Sequence, residues 1–262
     1  MTSIPAFDPA LALRARRRLL QMHHRAGVGH LGGNLSVLDA LLLLYHDYVG
    51  ESDRVVLSKG HSAGALYVAL WSVGRLPDAS LDTFHRDGTL LAGHPPCNGL
   101  PDVPFATGSL GHGLSLAAGT ALGMRLQNRP GRVFCLTSDG EWQEGSTWEA
   151  LIFACHQRLA NLTVLVDHNG LQGFGSTAEV ASMSPLWEKL AGFAADVSVI
   201  DGHDAGALRT ALDEPSTGRP RVLVLRTLKG KGVSFMEGRM EWHYLPLSDA
   251  QFQAALAEQG AA

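Results

Sequence analysis

Cysteine is scarce in this sequence. Its three cysteines, Cys97, Cys135 and Cys155, are widely spaced and form no Cys-x-x-Cys pair. Disulfide frameworks and structural zinc sites need several cysteines at characteristic spacings, so the sequence predicts neither. Reduced thiols are typical of the cytosol, and we therefore expect a cytoplasmic protein.

Long apolar runs and an excess of positive charge are also missing. The apolar stretch Leu38–Leu44 is too short to span a bilayer, and the N-terminus has no basic segment followed by an apolar one. Lys and Arg number 21 against 25 Asp and Glu, which gives a net charge of −4. We therefore expect a soluble protein that binds neither membranes nor nucleic-acid phosphates.

What the chain does have is enough apolar content for a large core. Of its 262 residues, 45% are hydrophobic, and we expect residues 1–262 to form one domain. Strand-like runs alternate with helix-like segments, which predicts an α/β fold with a doubly wound, mainly parallel sheet and helices on both faces. The predicted strands are Arg54–Leu57, Val133–Leu136, Leu162–Val166, Val197–Ile200 and Arg221–Arg226.

The helix predictions rest on capping residues and on composition. Asp8 and Pro9 are a typical cap and first turn, and Ser36 with Asp39 resembles a capping box that would open a second helix ending near Tyr48. The segment 84–108 is rich in Gly, Pro and Asp, and a loop of this length is usually functional. Further helices are predicted at Ser62–Val73, at Ser109–Leu126, after Ser184-Pro185 and at Asp204–Leu212.

Polar side chains follow two neighbouring strands of the predicted sheet. Asp139-Gly140 follows the first, and Asp167-His168-Asn169-Gly170 ends the second. A right-handed crossover places both strand ends at one edge, where open α/β sheets bind ligands. The Asp139 carboxylate and the Asn169 amide oxygen would converge on one hard cation, such as Mg²⁺, beside a phosphate. The alternative is a pair of ordinary Asp-Gly and Asn-Gly turns.

Histidine beside glycine is the second signal. Among the 12 histidines, His30, His61, His94 and His112 each follow a glycine in a turn-like segment. Imidazole can donate, accept and transfer protons near neutral pH, which suits a site that handles a carbonyl and several hydroxyls. A purely structural role for each of them remains an alternative.

Together these motifs resemble the thiamine-diphosphate-binding half of transketolase, over nearly the whole chain. The resemblance is carried by Gly29-His30-Leu31-Gly32-Gly33, Leu57-Ser58-Lys59-Gly60-His61, Gly93-His94-Pro95, Thr107-Gly108-Ser109-Leu110-Gly111-His112-Gly113, Asp139-Gly140 through Asn169, and Trp242-His243. It implies thiamine diphosphate as cofactor and transfer of a two-carbon ketol unit from a ketose to an aldehyde.

The resemblance also implies a role for individual residues. Magnesium, or Ca²⁺ or Mn²⁺ in its place, would be held by Asp139, Asn169 and the carbonyl of Leu171. The catalytic histidines would be His30, His61, His94 and His243. Residues against the cofactor would be His61, Gly108, Leu110, Asp139, Gly140, Glu141 and Asn169, and Glu144 and Glu149 would lie at the dimer interface.

The family's pyrimidine-binding half is not found in these 262 residues. We therefore expect one subunit of a split transketolase, completed by a second subunit that carries the pyrimidine-binding and C-terminal domains. A heterotetramer that self-associates across the active sites is the expected assembly. Two alternatives remain: an alpha-type subunit of a 2-oxoacid dehydrogenase or decarboxylase, and a non-catalytic assembly subunit.

Four residues at three sites depart from the family pattern. Ser138 stands where the motif opens with Gly, and His112 where Gln is usual. Gly173-Phe174 replaces an apolar residue followed by Asp. These departures leave the identity of the substrates open and are compatible with a specialised acceptor.

Overall fold

The computed structural model describes residues 6–260, so the predicted domain extends past both ends of the described part. Five parallel strands form one sheet in the order β1-β2-β3-β7-β6. A two-stranded antiparallel hairpin, β4 and β5, follows β3. The strands are β1 Arg54–Leu57, β2 Val133–Ser138, β3 Leu162–His168, β4 Leu171–Gln172, β5 Gly175–Ser176, β6 Asp196–Asp201 and β7 Arg221–Arg226.

Helices cover both faces of the sheet, which confirms the predicted fold class. Alternate side chains of β2 enter two separate cores: Phe134 and Leu136 pack on one face, Val133 and Cys135 on the other. The helices are α1 Pro9–Ala26, α2 Leu31–Leu43, α3 Ala63–Ser72, α4 Asp78–Leu81, α5 Gly113–Leu126, α6 Gly145–His156, α7 Thr177–Ala181, α8 Leu186–Leu190, α9 Ala205–Asp213 and α10 Asp249–Glu258.

The start of α2 corrects the sequence prediction. The helix begins at Leu31 and continues into a π-helical turn over Leu44–Tyr48, so Ser36 lies inside it and caps nothing. Instead, the Ser36 hydroxyl donates to Asp167 Oδ2 at 2.5 Å and is buried. The capping rule failed because His30, with a φ of 63°, makes the turn that starts the helix.

The other boundaries agree more closely with the predictions. Asp8 caps α1 and Asp204 caps α9 through side-chain bonds to main-chain N–H groups. Helix α5 begins at Gly113, four residues later than predicted, because Gly111 has a φ of 86°. The segment 84–108 contains neither helix nor strand. Within residues 6–260, no helix is long and apolar enough to cross a membrane.

Candidate active site

A cavity of about 180 Å³ opens at the carboxyl edge of the sheet. Its walls come from the segments that follow β1, β2, β3 and β7, since parallel strands end at the same edge. It therefore collects residues that are far apart in the sequence. The predicted site residues that line it are His61, Leu110, Asp139, Gly140, Asn169, Leu171 and His243.

The ends of β2 and β3 bring Asp139 and Asn169 to this cavity. Asp139 accepts hydrogen bonds from the main-chain N–H groups of Gly140 at 2.9 Å and Gly170 at 2.6 Å. The Asn169 amide oxygen accepts from Leu171 N at 3.1 Å. The carboxylate and the amide are thus fixed by main-chain donors of the two turns, and each oxygen keeps a free lone pair.

The Asp139 carboxylate is buried without a cationic partner among the described residues. It is 4% exposed, and its hydrogen bonds come from main-chain N–H groups. Burial, and then the negative charge of Asp167, raises the pKa of Asp139 to about 6. A hard cation would compensate both effects, so the residues fit a divalent metal.

The predicted metal ligands are the carboxylate of Asp139, the amide oxygen of Asn169 and the main-chain carbonyl of Leu171. Residues 6–260 contain no cluster of three or more His, Cys, Asp or Glu side chains that could hold a metal. A cation at Asp139 would therefore need further oxygen ligands from a bound phosphate and from water. Mg²⁺ is usually held in this way, by few protein ligands together with phosphate oxygens.

Two histidines, His61 and His243, line the same cavity and form a cluster with His30 and His94. The ring of His30 lies 5.0 Å from that of His243, 5.7 Å from that of His61 and 6.1 Å from that of His94. A main-chain bond from His30 N to His243 O, 3.0 Å long, joins the segments before α2 and after β7. The predicted catalytic histidines thus form one cluster, although they come from four segments of the chain.

All four imidazoles are shifted toward the neutral form. Burial is the first cause in each case; it lowers the pKa of His30 and His94 and places that of His61 well below its usual value. Burial and the nearby Lys229 ammonium lower the pKa of His243 to about 3. At neutral pH each ring therefore offers one N–H donor and one acceptor nitrogen.

A buried ion pair supports the floor of the cavity. Lys59 and Asp167 are each 1% exposed and are joined through Lys59 Nζ and Asp167 Oδ2. Lys59 Nζ also donates to Gly33 O at 3.0 Å, and Thr227 Oγ1 donates to Asp167. Burial alone would raise the pKa of Asp167, but the Lys59 ammonium holds it below its usual value.

Lys229 sets the orientation of His243. Its Nζ lies 2.9 Å from His243 Nδ1, and because an ammonium can only donate, Nδ1 accepts and the ring proton lies on Nε2. Burial, followed by the charge of Lys59, lowers the pKa of Lys229 to about 8. Lys229 also lines the cavity and adds a positive charge to it.

Some predicted site residues lie beside the cavity. Glu141 is buried behind it, where its carboxylate accepts from Gly111 N and Ser138 N at 3.0 Å each and from the Ser58 hydroxyl. Gly108 and His94 line an adjoining depression. Glu144 and Glu149 are exposed on the surface before and along α6.

Sequence reasoning missed Lys59, Asp167 and Tyr244 as members of the site. Lys59 and Asp167 directly follow or end buried strands, which is the signal that could have found them. Lys229 lies in a Lys-Gly-Lys-Gly segment, which is typical of an exposed turn, yet it is 2% exposed. No local pattern marks Tyr244, which lines the cavity after the Met240–His243 turn.

An oxygen-ligand wall and a neutral histidine wall at one sheet edge define an enzyme-like cofactor site on an α/β fold. Comparison with known proteins identifies the family. Residues 13–261 match the model of the transketolase thiamine diphosphate binding domain. The chain therefore belongs to the transketolase family, as its thiamine-diphosphate-binding part, and the predicted family is confirmed.

Similar proteins of comparable length are parts of other transketolases. The chain is 38% identical to a 6-deoxy-6-sulfo-D-fructose transketolase subunit of Clostridium sp. strain MSTE9, over 93% of this chain and 92% of that protein. It is 36% identical to one of the subunits of the apulose-4-phosphate transketolase of Phocaeicola vulgatus, over 93% of this chain and 90% of that one.

Solved structures with the same fold include longer transketolases. The structure from Campylobacter jejuni has a TM-score of 0.87 and 27% identity, and it is matched over 97% of this chain and 43% of its own. The transketolase of Leishmania mexicana has a TM-score of 0.88 and 26% identity, over 97% and 42%. This chain thus spans about two fifths of those proteins.

Proposed function

We propose that this chain is one subunit of a two-component transketolase that transfers a two-carbon ketol unit from a ketose to an aldehyde. The observation that carries the proposal is the cavity lined by Asp139, Asn169, His61 and His243, with the ring of His30 packed beside the rings of those two histidines. One wall suits a metal-bound diphosphate, and the other suits a substrate with a carbonyl and several hydroxyls.

In this proposal Asp139, Asn169 and the carbonyl of Leu171 hold Mg²⁺, or Ca²⁺ or Mn²⁺ in its place. Gly140 and Leu110, which line the cavity, let the cofactor lie against the chain. His61 and the neighbouring Gly108 would also contact it. When bound, thiamine diphosphate supplies the nucleophilic carbon and stores the electrons of the broken carbon-carbon bond.

The histidines would handle the substrate. Because the pKa values of His30, His94 and His243 are lowered, these rings are neutral at pH 7 and can donate to one hydroxyl and accept from another. His243 Nε2–H would donate to a substrate oxygen, since Nδ1 is engaged by Lys229. Proton transfer to and from the aldehyde oxygen falls to the same group of rings.

Two observations support a second polypeptide. The cavity of about 180 Å³ is smaller than the roughly 300–1,000 Å³ of usual ligand pockets, so this chain encloses only part of a cofactor and its substrate. The similar proteins of comparable length are named as transketolase subunits. We propose that the partner carries the pyrimidine-binding and C-terminal domains and that two copies of each chain assemble.

The surface of α5 and α6 fits such an assembly. Leu126, Ile152 and Phe153 are exposed at 72%, 54% and 40%, and exposed large apolar side chains that lie together can mark a protein–protein contact. Glu149 lies on the same helix as the last two, and Glu144 precedes it. We propose that this face joins subunits across the active sites, where Glu144 and Glu149 would couple them.

The substrate class is a ketose donor and an aldehyde acceptor. The two similar subunits are named for a sulfonated and a phosphorylated ketose, which supports a specialised sugar as a substrate here. Cytoplasmic location remains part of the proposal, in keeping with the three free cysteines of the described part.

The test uses the purified chain and a transketolase pyrimidine-domain protein, which is to be sought in the neighbouring reading frames of the same genome. Calorimetry with thiamine diphosphate and Mg²⁺ and turnover of hydroxypyruvate with glycolaldehyde are measured for this chain alone and for the pair. We expect turnover from the pair only, and none from the pair made with Asp139→Asn. Turnover by the chain alone would contradict the two-component arrangement.

The same experiment separates the two alternatives. Cofactor binding with decarboxylation of 2-oxoacids but no ketol transfer would favour an alpha-type dehydrogenase or decarboxylase. A pair that assembles without metal-dependent cofactor binding would favour a non-catalytic assembly role. The converging histidines favour ketol transfer over both, because four neutral imidazoles suit a polyhydroxylated substrate.

A further inference from the structure

Tyr244 lies at the mouth of the cavity, next to the tip of the β4–β5 hairpin. The two strands of this hairpin are joined by the two-residue turn Gly173-Phe174. The Tyr244 hydroxyl donates to Gly173 O at 2.9 Å, and Tyr244 and Phe174 are 53% and 84% exposed. Two aromatic rings thus border the opening on this side.

Two glycines make room for Tyr244. A Cβ atom at Gly29 would lie 2.2 Å from the main-chain oxygen of Tyr244, and a Cβ atom at Gly173 would lie 2.4 Å from its hydroxyl oxygen. Any other residue at either position would displace Tyr244. The tyrosine is therefore held at both ends, by the segment before α2 and by the hairpin turn.

Held in this way, the Tyr244 ring forms a fixed wall beside the catalytic histidines. Its centroid lies 4.8 Å from that of His243 and 6.4 Å from that of His30. A substrate whose carbonyl meets these imidazoles would extend its carbon chain past the ring. Aromatic rings offer a large, rigid contact surface at low entropic cost.

We propose that Tyr244 is a specificity-determining residue, which contacts the carbon chain of the acceptor aldehyde beyond its reacting end. Gly173 allows the Tyr244 ring to take this position, because only glycine leaves space for the hydroxyl. This inference rests on the proposed ketol transfer. It predicts that long acceptors depend on the Tyr244 ring and that a two-carbon acceptor does not.

The first test uses the glycine. In the reconstituted pair, selectivity is the kcat/KM for D-ribose divided by that for glycolaldehyde. Gly173→Ala should lower it about tenfold, because the new Cβ would push the hydroxyl away. In Gly173→Ala/Tyr244→Phe the clashing hydroxyl is gone, and the nearest ring atom is Cζ at 3.5 Å from the new Cβ, an ordinary contact distance. The selectivity of the double variant should therefore lie within about twofold of that of Tyr244→Phe alone.

The second test removes the ring. Tyr244→Ala should lower selectivity about tenfold, through kcat/KM for D-ribose, with unchanged calorimetric affinity for thiamine diphosphate and Mg²⁺. Tyr48→Phe is the matched control, since it loses a hydroxyl bond to Asp213 instead. If Tyr244→Ala does not fold, the comparison of Gly173→Ala with Gly173→Ala/Tyr244→Phe still tests the role of Tyr244.

The outcomes separate this inference from the proposed function. Equal losses for both aldehydes, or no rescue in the double variant, would overturn the role of Tyr244 while ketol transfer stands. A wild-type pair that binds the cofactor but transfers no ketol unit to either aldehyde would overturn both.

Discussion

The floor and the mouth of the cavity differ in how firmly they are built. The floor, which comprises Lys59, Asp139, Asp167 and Asn169, has its charged side chains at 1–4% exposure. The mouth, which comprises Phe174 and Tyr244, has side chains at 84% and 53% exposure. The floor is thus held by buried charges and strand ends, and the mouth by loops.

The difference follows from the elements that carry each region. Ser138 in β2 pairs with Asp167 in β3, so the main chain of the floor is held by hydrogen bonds of the central sheet. The mouth depends on a two-residue hairpin turn and on the short 3-10 helix Met240–His243. Binding of a metal and a diphosphate needs fixed geometry, whereas the choice of substrate can change with exposed side chains.

The largest expected effect comes from breaking the floor at its ion pair. Lys59→Met would leave the Asp167 carboxylate buried without its cation, and we expect a loss of about 3–5 kcal/mol in the free energy of unfolding. The measurement is urea denaturation of the chain without cofactor. Lys59→Met/Asp167→Asn should recover a large part of this loss, since no charge is then left unpaired.

The matched control is a surface ion pair. Arg239 and Glu241 lie 3.5 Å apart with side chains 60% and 47% exposed, and Arg239→Met should change stability by less than about 1 kcal/mol. Equal losses of unfolding free energy in Lys59→Met and Arg239→Met would contradict the view that the floor is held more firmly than the surface.

The floor was also the part that the sequence predicted best. Asp139-Gly140 and Asn169-Gly170 each follow a buried apolar run, and the rule that parallel strands end at one edge was sufficient to bring them together. The same rule places Lys59 and Asp167 at this edge, but their direct contact across 108 positions depends on the register of the sheet, which no local pattern gives.

The mouth was harder to predict for a related reason. The hydroxyl of Tyr244 reaches Gly173 across 71 positions, and neither residue belongs to a periodic pattern. The predicted start of α2 was also wrong. The local capping pattern at Ser36 predicted a start there, whereas a left-handed turn at His30 begins the helix at Leu31. Local sequence patterns were thus sufficient to predict the strands, whereas the conformations of the loops depend on tertiary contacts.

A second prediction concerns the titration of Asp139. A carboxyl group whose pKa is higher in the folded state than in the unfolded state stabilises the fold at low pH, and this contribution is lost as the pH rises through the folded value. Because the pKa of Asp139 is raised to about 6, the chain without cofactor should lose stability relative to Asp139→Asn between about pH 4 and pH 6. The expected change is on the order of 2 kcal/mol.

Urea denaturation of both variants from pH 4 to pH 8 measures this difference, which should be constant above about pH 7. His243, with a pKa lowered to about 3, does not titrate in this range, and both variants retain it. Measuring the chain without cofactor keeps the titration of the diphosphate out of the result. A difference that stays constant from pH 4 to pH 8 would show that the Asp139 pKa is not raised.

The smallest effect is expected at the mouth. Phe174 is 84% exposed, so Phe174→Ser should change the free energy of unfolding by less than about 0.5 kcal/mol. Affinity for thiamine diphosphate and Mg²⁺ should stay within about twofold, because Phe174 is mostly exposed at the mouth and is not one of the proposed metal ligands. Leu13→Ser, on an exposed position of α1, is the control for loss of an apolar surface group. A fivefold or greater loss of cofactor affinity in Phe174→Ser alone would show that the mouth and the floor are coupled through the hairpin that also carries Leu171.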